Sequence, residues 1–142
     1  MRENLSLKAF VVLMKASKSV EEMVRQDIKG YGVSITEFSI LEALYHKGRL
    51  TVNQICEAVL IKSGSMTYVI KKLQEKGLLD REACAEDRRV IHVYLTTEGK
   101  KLMDDIFPKH QEAIENIFSV IDSDAKQSII STLKHVGLQD KA

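Results

Sequence analysis

Residues 63–99 read SGSMTYVIKKLQEKGLLDREACAEDRRVIHVYLTTEG, and the hydrophobic period changes once within them. Met66, Val69, Ile70 and Leu73 recur at i, i+3, i+4 and i+7, which predicts a helix over about 63–76 with one buried stripe. Lys76-Gly77 ends it, with glycine where a helix terminus turns left-handed. The period then falls to two. Leu78–Cys84 and Val90–Leu95 read as strands, with Ile91, Val93 and Leu95 alternating with Val90, His92 and Tyr94. Between them lies a polar tip, Ala85-Glu86-Asp87-Arg88-Arg89, and after them Thr96-Thr97 caps another helix.

Upstream, Thr51-Val52-Asn53-Gln54 has the form of a capping box, followed by Val52, Ile55, Cys56 and Val59 at helical spacing. A short turn, Leu60-Ile61-Lys62, joins this helix to the next. Two short helices, a tight turn and a two-stranded hairpin make a winged helix-turn-helix, whose second helix enters the DNA major groove. Further upstream, Ser34-Ile35-Thr36-Glu37 caps a helix over about 35–46 with Phe38, Leu41, Leu44 and Tyr45 on its apolar face. Before it, residues 5–28 carry Leu7, Phe10, Val11, Met14, Val20, Met23, Val24 and Ile28 at helical spacing, stopped by Gly30-Tyr31-Gly32. Downstream, Leu102, Ile106, Ala113, Ile114, Ile117 and Phe118 mark a long fifth helix that Pro108 is expected to kink or break. Asp122 begins a sixth, with Ile129, Leu133 and Val136 inside it. The fold class is therefore mainly α (α+β): about six helices and a two-stranded wing. Residues 1–30 and 97–142 read as helical segments flanking a winged-helix lobe at 34–96, all within one compact unit.

Composition narrows the function classes. The 142 residues are 44% hydrophobic and 29% charged, an ordinary globular balance. No apolar run approaches the ~18 residues of a membrane span, and Met1-Arg2-Glu3-Asn4 opens no signal-peptide pattern, so a cytoplasmic location is expected. Two cysteines, Cys56 and Cys84, are too few for a disulfide framework. There is no glycine-rich phosphate loop, nucleophile elbow or convincing acid/base pair, so an enzyme is not expected, nor is a cofactor. A formal charge of +1 says little about nucleic acid, so the placement of charge has to decide. Between Lys62 and Lys76 there are four lysines and one glutamate.

On a helical wheel, the face opposite the apolar stripe holds Gly64, Thr67, Tyr68 and Lys71, flanked by Ser63, Ser65 and Lys72. Hydroxyls and a threonine methyl suit base edges, and lysines suit phosphates. Gly64 would allow close approach of the helix start to DNA. The alternative is a helix pair in an ordinary bundle with a solvated face. At the hairpin tip, Arg88 and Arg89 suit a narrow minor groove, whose negative potential attracts arginine. A solvated charged turn is the alternative there.

The segment from Thr51 to Lys101 resembles the MarR family of bacterial regulators. The resemblance is carried by Lys76-Gly77-Leu78-Leu79-Asp80-Arg81, by Asp87-Arg88-Arg89 and by Leu95-Thr96-Thr97-Glu98-Gly99. The flanking helices match the family in order and length. The resemblance implies a homodimer on a palindromic double-stranded DNA operator, with 34–96 as the DNA-binding lobe and the flanking segments 1–30 and 97–142 as interlocked dimerisation helices. It implies repression by blocking polymerase, relieved by a small-molecule effector. It also implies that Arg89 enters the minor groove, that Asp87 braces it, and that Arg88 and Arg81 meet phosphates. The sequence departs from the family at Tyr68, where many members have arginine; tyrosine cannot fork onto guanine, so operator preference does not transfer. Pro108 is a second departure, and it bears on the spacing of the two recognition helices.

Three kinds of sensing make different demands on the residues. A thiol switch needs an accessible low-pKa cysteine; Cys56 falls on an apolar face and Cys84 lies near the wing. A metal switch needs clustered ligands; Glu42, His46 and His110 lie on helices that approach in this fold, but they form no signature and no metal is expected. A small apolar effector would sit where the dimerisation helices meet the DNA-binding lobe, near Tyr31 and Phe38, residues that equally suit plain core. The rival function is a winged helix used for protein–protein contact, which has no need of arginines at the wing tip.

Overall fold

The computed structural model describes residues 4–61 and 64–139, so Ser63, the first residue of the expected base-reading face, lies outside the described residues. Helix α1 (Leu5–Ile28) starts at Asn4, whose side chain accepts a hydrogen bond from Leu7 N at 3.0 Å. A 3₁₀ turn, Lys29–Tyr31, leads through Gly32 at φ 79° to α2 (Ile35–Lys47). The chain continues through β1 (Leu50–Thr51), α3 (Val52–Ala58), α4 (Met66–Glu75), β2 (Leu79–Ala83), β3 (Ile91–Leu95), α5 (Thr97–Ile117) and α6 (Ser123–Gly137). None of the described helices is long and apolar enough to cross a membrane.

Both expected capping boxes form. Ser34 Oγ accepts from Glu37 N at 3.1 Å, and Glu37 Oε1 accepts from Ser34 N at 2.8 Å. Thr51 and Gln54 do the same at the start of α3. The second oxygen of Glu37 accepts from Lys76 Nζ at 2.8 Å, which ties the start of α2 to the end of α4. Burial pushes the Glu37 carboxyl up, but the bonds from Lys76 and Ser34 outweigh it and hold the group below its ordinary value. A lowered carboxyl stabilises the fold above the ordinary carboxylate range, and this is lost as pH falls through the folded-state value. Glu37→Gln should therefore lose less thermal stability than the parent between about pH 7 and pH 3. Equal losses in melting curves would contradict this role.

The sheet has three antiparallel strands in the order β1-β3-β2, not the two read from the sequence. Leu50 pairs with Val93 and Thr51 with His92, while β2 pairs with β3 from Leu79↔Leu95 to Ala83↔Ile91. A two-residue strand is too short to show alternation, so β1 left no periodic signal. The core joins Ile28 of α1, Phe38 and Leu41 of α2, Ile55 of α3, Ile70 and Leu73 of α4, Leu79 and Val93 of the sheet, and Met103 of α5, all essentially buried. The outer part of α1 stands apart. Leu7, Phe10, Val11 and Met14 are exposed, as are Ile129, Leu133 and Val136 of α6.

The expected break at Pro108 does not occur, because α5 runs unbroken for 21 residues. Proline removes one backbone donor and clashes with the preceding turn, a cost of about 3 kcal/mol. Buried Met103, Ile106 and His110 lie on both sides of it, so packing against α1 and α2 outweighs the local cost.

Candidate nucleic-acid interface

Helix α4 begins later than its periodicity implied. Gly64 takes φ 74° and Ser65 is the extended N-cap, so the first helical residue is Met66. Ser65 Oγ accepts from Tyr68 N at 3.3 Å. A Cβ on Gly64 would meet nothing within 4 Å. Its backbone conformation, which L side chains rarely adopt, is what calls for glycine here. Ile70 and Leu73 are buried and Met66 and Val69 half-buried, which fixes the helix on the core. Gly64, Ser65, Thr67, Tyr68, Lys71 and Lys72 are all exposed, so the face predicted from the helical wheel is the face presented to solvent. Lys72 Nζ lies 5.7 Å from the centre of the Tyr68 ring, within cation–π range.

The end of α4 is built by a Schellman arrangement. Gly77 at φ 76° donates to Gln74 O at 2.9 Å, and Leu78 N donates to Leu73 O at 3.0 Å. This turns the chain directly into β2. At the far end of the hairpin, Cys84 N donates to Val90 O at 2.8 Å and Val90 N to Asp87 O at 3.0 Å. The tip is organised around Asp87. Its Oδ1 accepts from Arg89 N at 3.0 Å and from Arg89 Nε at 3.1 Å, and its Oδ2 lies 3.4 Å from Arg89 Nη2. The Arg89 side chain nevertheless remains 91% exposed, so it is oriented without being covered. The bonds from the Arg89 side chain and backbone hold the Asp87 carboxyl below its ordinary value. Arg88 is exposed beside it.

Arg81, on β2, is exposed and donates through Nε to Gln74 Oε1 at 2.8 Å. Sequence reading did not single out Gln74. Nor did it single out Arg49, whose Nη2 donates to Glu82 Oε2 at 2.8 Å and whose guanidinium lies 5.0 Å from the Tyr94 ring centre. Only the register of β1 on β3 brings Arg49 to the base of the wing, and no local motif signals that pairing. Taken together, an exposed hydroxyl- and lysine-bearing helix stands beside a ribbon whose tip holds an oriented arginine. Such a surface can place a helix in one groove and a guanidinium in the next.

A cleft of about 900 Å³ opens between α1, α2 and α5, with Leu60 and Ile61 of the helix-turn-helix turn at its edge. Val20, Val24, Phe38, Phe107 and His110 are among its walls. Phe38 is thus both core and cleft wall, whereas Tyr31 lies one step behind it. The Tyr31 hydroxyl donates to Asp27 Oδ1 at 2.5 Å, and burial together with that carboxylate pushes the phenol well up. Asp27 Oδ2 lies 3.0 Å from Nδ1 of buried His110, whose Nε2 faces Glu42 Oε2 at 3.6 Å. His46 packs edge-on against Phe107 rather than joining this group. Among the described residues, no group of three or more His, Cys, Asp or Glu is arranged to hold a metal ion. Cys56 and Cys84 are both free and half-buried.

Comparison with known proteins gives consistent results. The MarR family model matches residues 31–90. The transcriptional regulator MhqR of Bacillus subtilis is 42% identical over 136 residues, covering 96% of this chain and 94% of MhqR. Among solved structures, the MarR family regulator Sco3205 of Streptomyces coelicolor, in complex with DNA, superposes with a TM-score of 0.83 at 19% identity, covering 98% of this chain and 91% of that one. BpsR of Bordetella bronchiseptica, whose DNA binding is regulated by 6-hydroxynicotinic acid, superposes with a TM-score of 0.82 at 21% identity, covering 96% and 98%. At these identities the two structures establish the shared fold.

Proposed function

The chain belongs to the MarR family of DNA-binding transcriptional regulators, and on that premise we propose that it represses transcription as a symmetric dimer on a palindromic operator. The family's members regulate transcription and are not enzymes. The observation that carries the reading is the Asp87–Arg89 pair at the wing tip beside the exposed face of α4. In the proposal, Thr67 and Tyr68 meet base edges, while Lys71, Lys72, Arg81 and Arg88 meet phosphates. Gly64 and Ser65 set the start of the helix at the groove. Arg89 enters the flanking minor groove, where narrowing concentrates negative potential. The work is that of a regulator in the cytoplasm.

Dimerisation draws support from the exposed apolar residues of the terminal helices. Leu5, Phe10 and Met14 of α1 are 73%, 60% and 55% exposed, and Val136 of α6 is 51% exposed. Apolar faces of this kind on two helices mark association surfaces more often than bare solvent contact. Joining them across a two-fold axis would fix the distance between two copies of α4. A small apolar effector in the cleft between α1, α2 and α5 would alter that distance and release the DNA. The cleft volume falls within the range of small-molecule sites, and BpsR offers a relative regulated by a small aromatic acid.

Selection of bound duplexes from a random-sequence pool tests the dimer and the operator together. The expected outcome is an inverted repeat with half-sites about one helical turn apart, bound by a species of twice the 16.1 kDa chain mass in light scattering. A single unrepeated site bound by a monomer would refute the symmetric reading.

A further inference from the structure

The recognition helix and the wing strand are joined by three side chains. Gln74, half-buried in the last turn of α4, accepts from Arg81 Nε through Oε1 at 2.8 Å. Its Nε2 donates to Asp80 Oδ1 at 3.0 Å. That same carboxylate oxygen accepts from Arg81 N at 2.8 Å, which closes the ring. The amide orientation follows from the partners, since only one side of an amide can accept from a guanidinium while the other donates to a carboxylate. Arg81 spends its Nε on this contact, and its terminal amino groups, with four N–H donors, have no partner among the described residues.

We propose that Gln74 is a positioning residue for DNA binding: it holds the Arg81 guanidinium at a fixed offset from the recognition helix, so that helix and phosphate contact dock as one rigid piece. The inference rests on the proposed phosphate role of Arg81. The chemistry explains why an amide serves here. A carboxylate at position 74 would pair with Arg81 and offset the charge meant for phosphate, and it would also stand against Asp80. A purely apolar side chain would leave Arg81 to sample many rotamers, and ordering a long side chain on binding weakens association. Arg88, exposed at the tip, has no comparable brace on α4.

The test uses the full-length protein and a duplex obtained by selection on that protein. Affinity is read by fluorescence anisotropy at several salt concentrations. Gln74→Ala and the isosteric Gln74→Met should each weaken binding roughly tenfold and leave the salt slope unchanged, because no charge is lost. Gln74→Glu should weaken it further and lower the slope, as a lost phosphate contact does. Arg81→Ala should weaken binding and lower the slope, and adding Gln74→Ala to it should then cost nothing more. Thermal unfolding of each variant shows that the fold is retained, and the Met variant covers the case in which Ala disturbs packing. Equal losses from Gln74→Ala with and without Arg81 would overturn the proposal, as would no loss in the parent. If Arg81→Ala binds like the parent, the phosphate role fails and the proposal with it. If selection yields no bound duplex at all, it is the regulator reading itself that has failed.

Discussion

Arg89→Ala should cut affinity for the selected operator by roughly thirtyfold or more, because a symmetric dimer loses the contact twice and each well-placed arginine contact is worth roughly 1–3 kcal/mol. The slope of log affinity against log salt should fall by about 0.9 for each phosphate-like contact released. Thermal stability should stay close to that of the parent, since the side chain is 91% exposed and makes its bonds only within the hairpin tip. Asp87→Ala should act in the same direction with a smaller effect. It leaves the charge in place but removes the acceptor that holds the guanidinium and the Arg89 backbone N–H. Anisotropy titrations of the three proteins on one duplex check both statements. Parent-like binding by Arg89→Ala would show that the wing tip is only a solvated turn.

The second large effect is on stability. Gly99 lies in the first turn of α5 and packs against the chain where α4 passes into β2. A Cβ built there would come within 1.9 Å of Leu78 O and 2.9 Å of Leu78 C, both backbone atoms that cannot swing aside. The junction is already tightly bonded: Thr96 Oγ1 donates to Gly77 O at 2.6 Å, Thr96 N donates to Leu78 O at 3.2 Å, and Gly99 N donates to Thr96 Oγ1 at 3.1 Å. Gly99→Ala must therefore push α5 away from the sheet. Forcing extra volume into a packed site costs typically 1–3 kcal/mol, and more when backbone must move. A drop in melting temperature of roughly 5–10 °C is expected, with DNA affinity falling as a consequence. The same substitution at Gly137, where a Cβ would meet nothing within 4 Å, should be close to neutral and serves as the control. Equal melting temperatures for the two variants would contradict this account of the turn.

The composition of Leu95-Thr96-Thr97-Glu98-Gly99 thus has a physical cause. Threonine supplies both the cap of α5 and the bond to Gly77, and glycine is the residue that fits against Leu78. Much of the fold was legible for reasons of this kind. The change of period at Gly77 marked the passage from α4 to the wing, and two capping boxes marked helix starts that the structure reproduces. The exposed face of α4 followed from four apolar residues at one spacing. The features that escaped depend on contacts between distant segments. Strand β1 exists only because Leu50 lies beside Val93. Pro108 reads as a breaker locally, but buried neighbours on either side hold its helix together. The helix start shifted from 63 to Met66 because the left-handed backbone at Gly64 outranks periodicity. Gln74 reads as an unremarkable helix-surface amide until β2 brings Asp80 and Arg81 beside it. His110 is a core residue between two carboxylates, an arrangement that needs α1, α2 and α5 together.

DNA recognition is tested by an anisotropy titration of the full-length protein onto the duplex immediately upstream of its own coding sequence, against an unrelated duplex of equal length, at low and moderate salt. Binding that favours the upstream duplex, weakens steeply with salt and saturates at two chains per site is the predicted result. An absence of binding to either duplex at low salt, with the protein folded, would contradict DNA recognition by this surface.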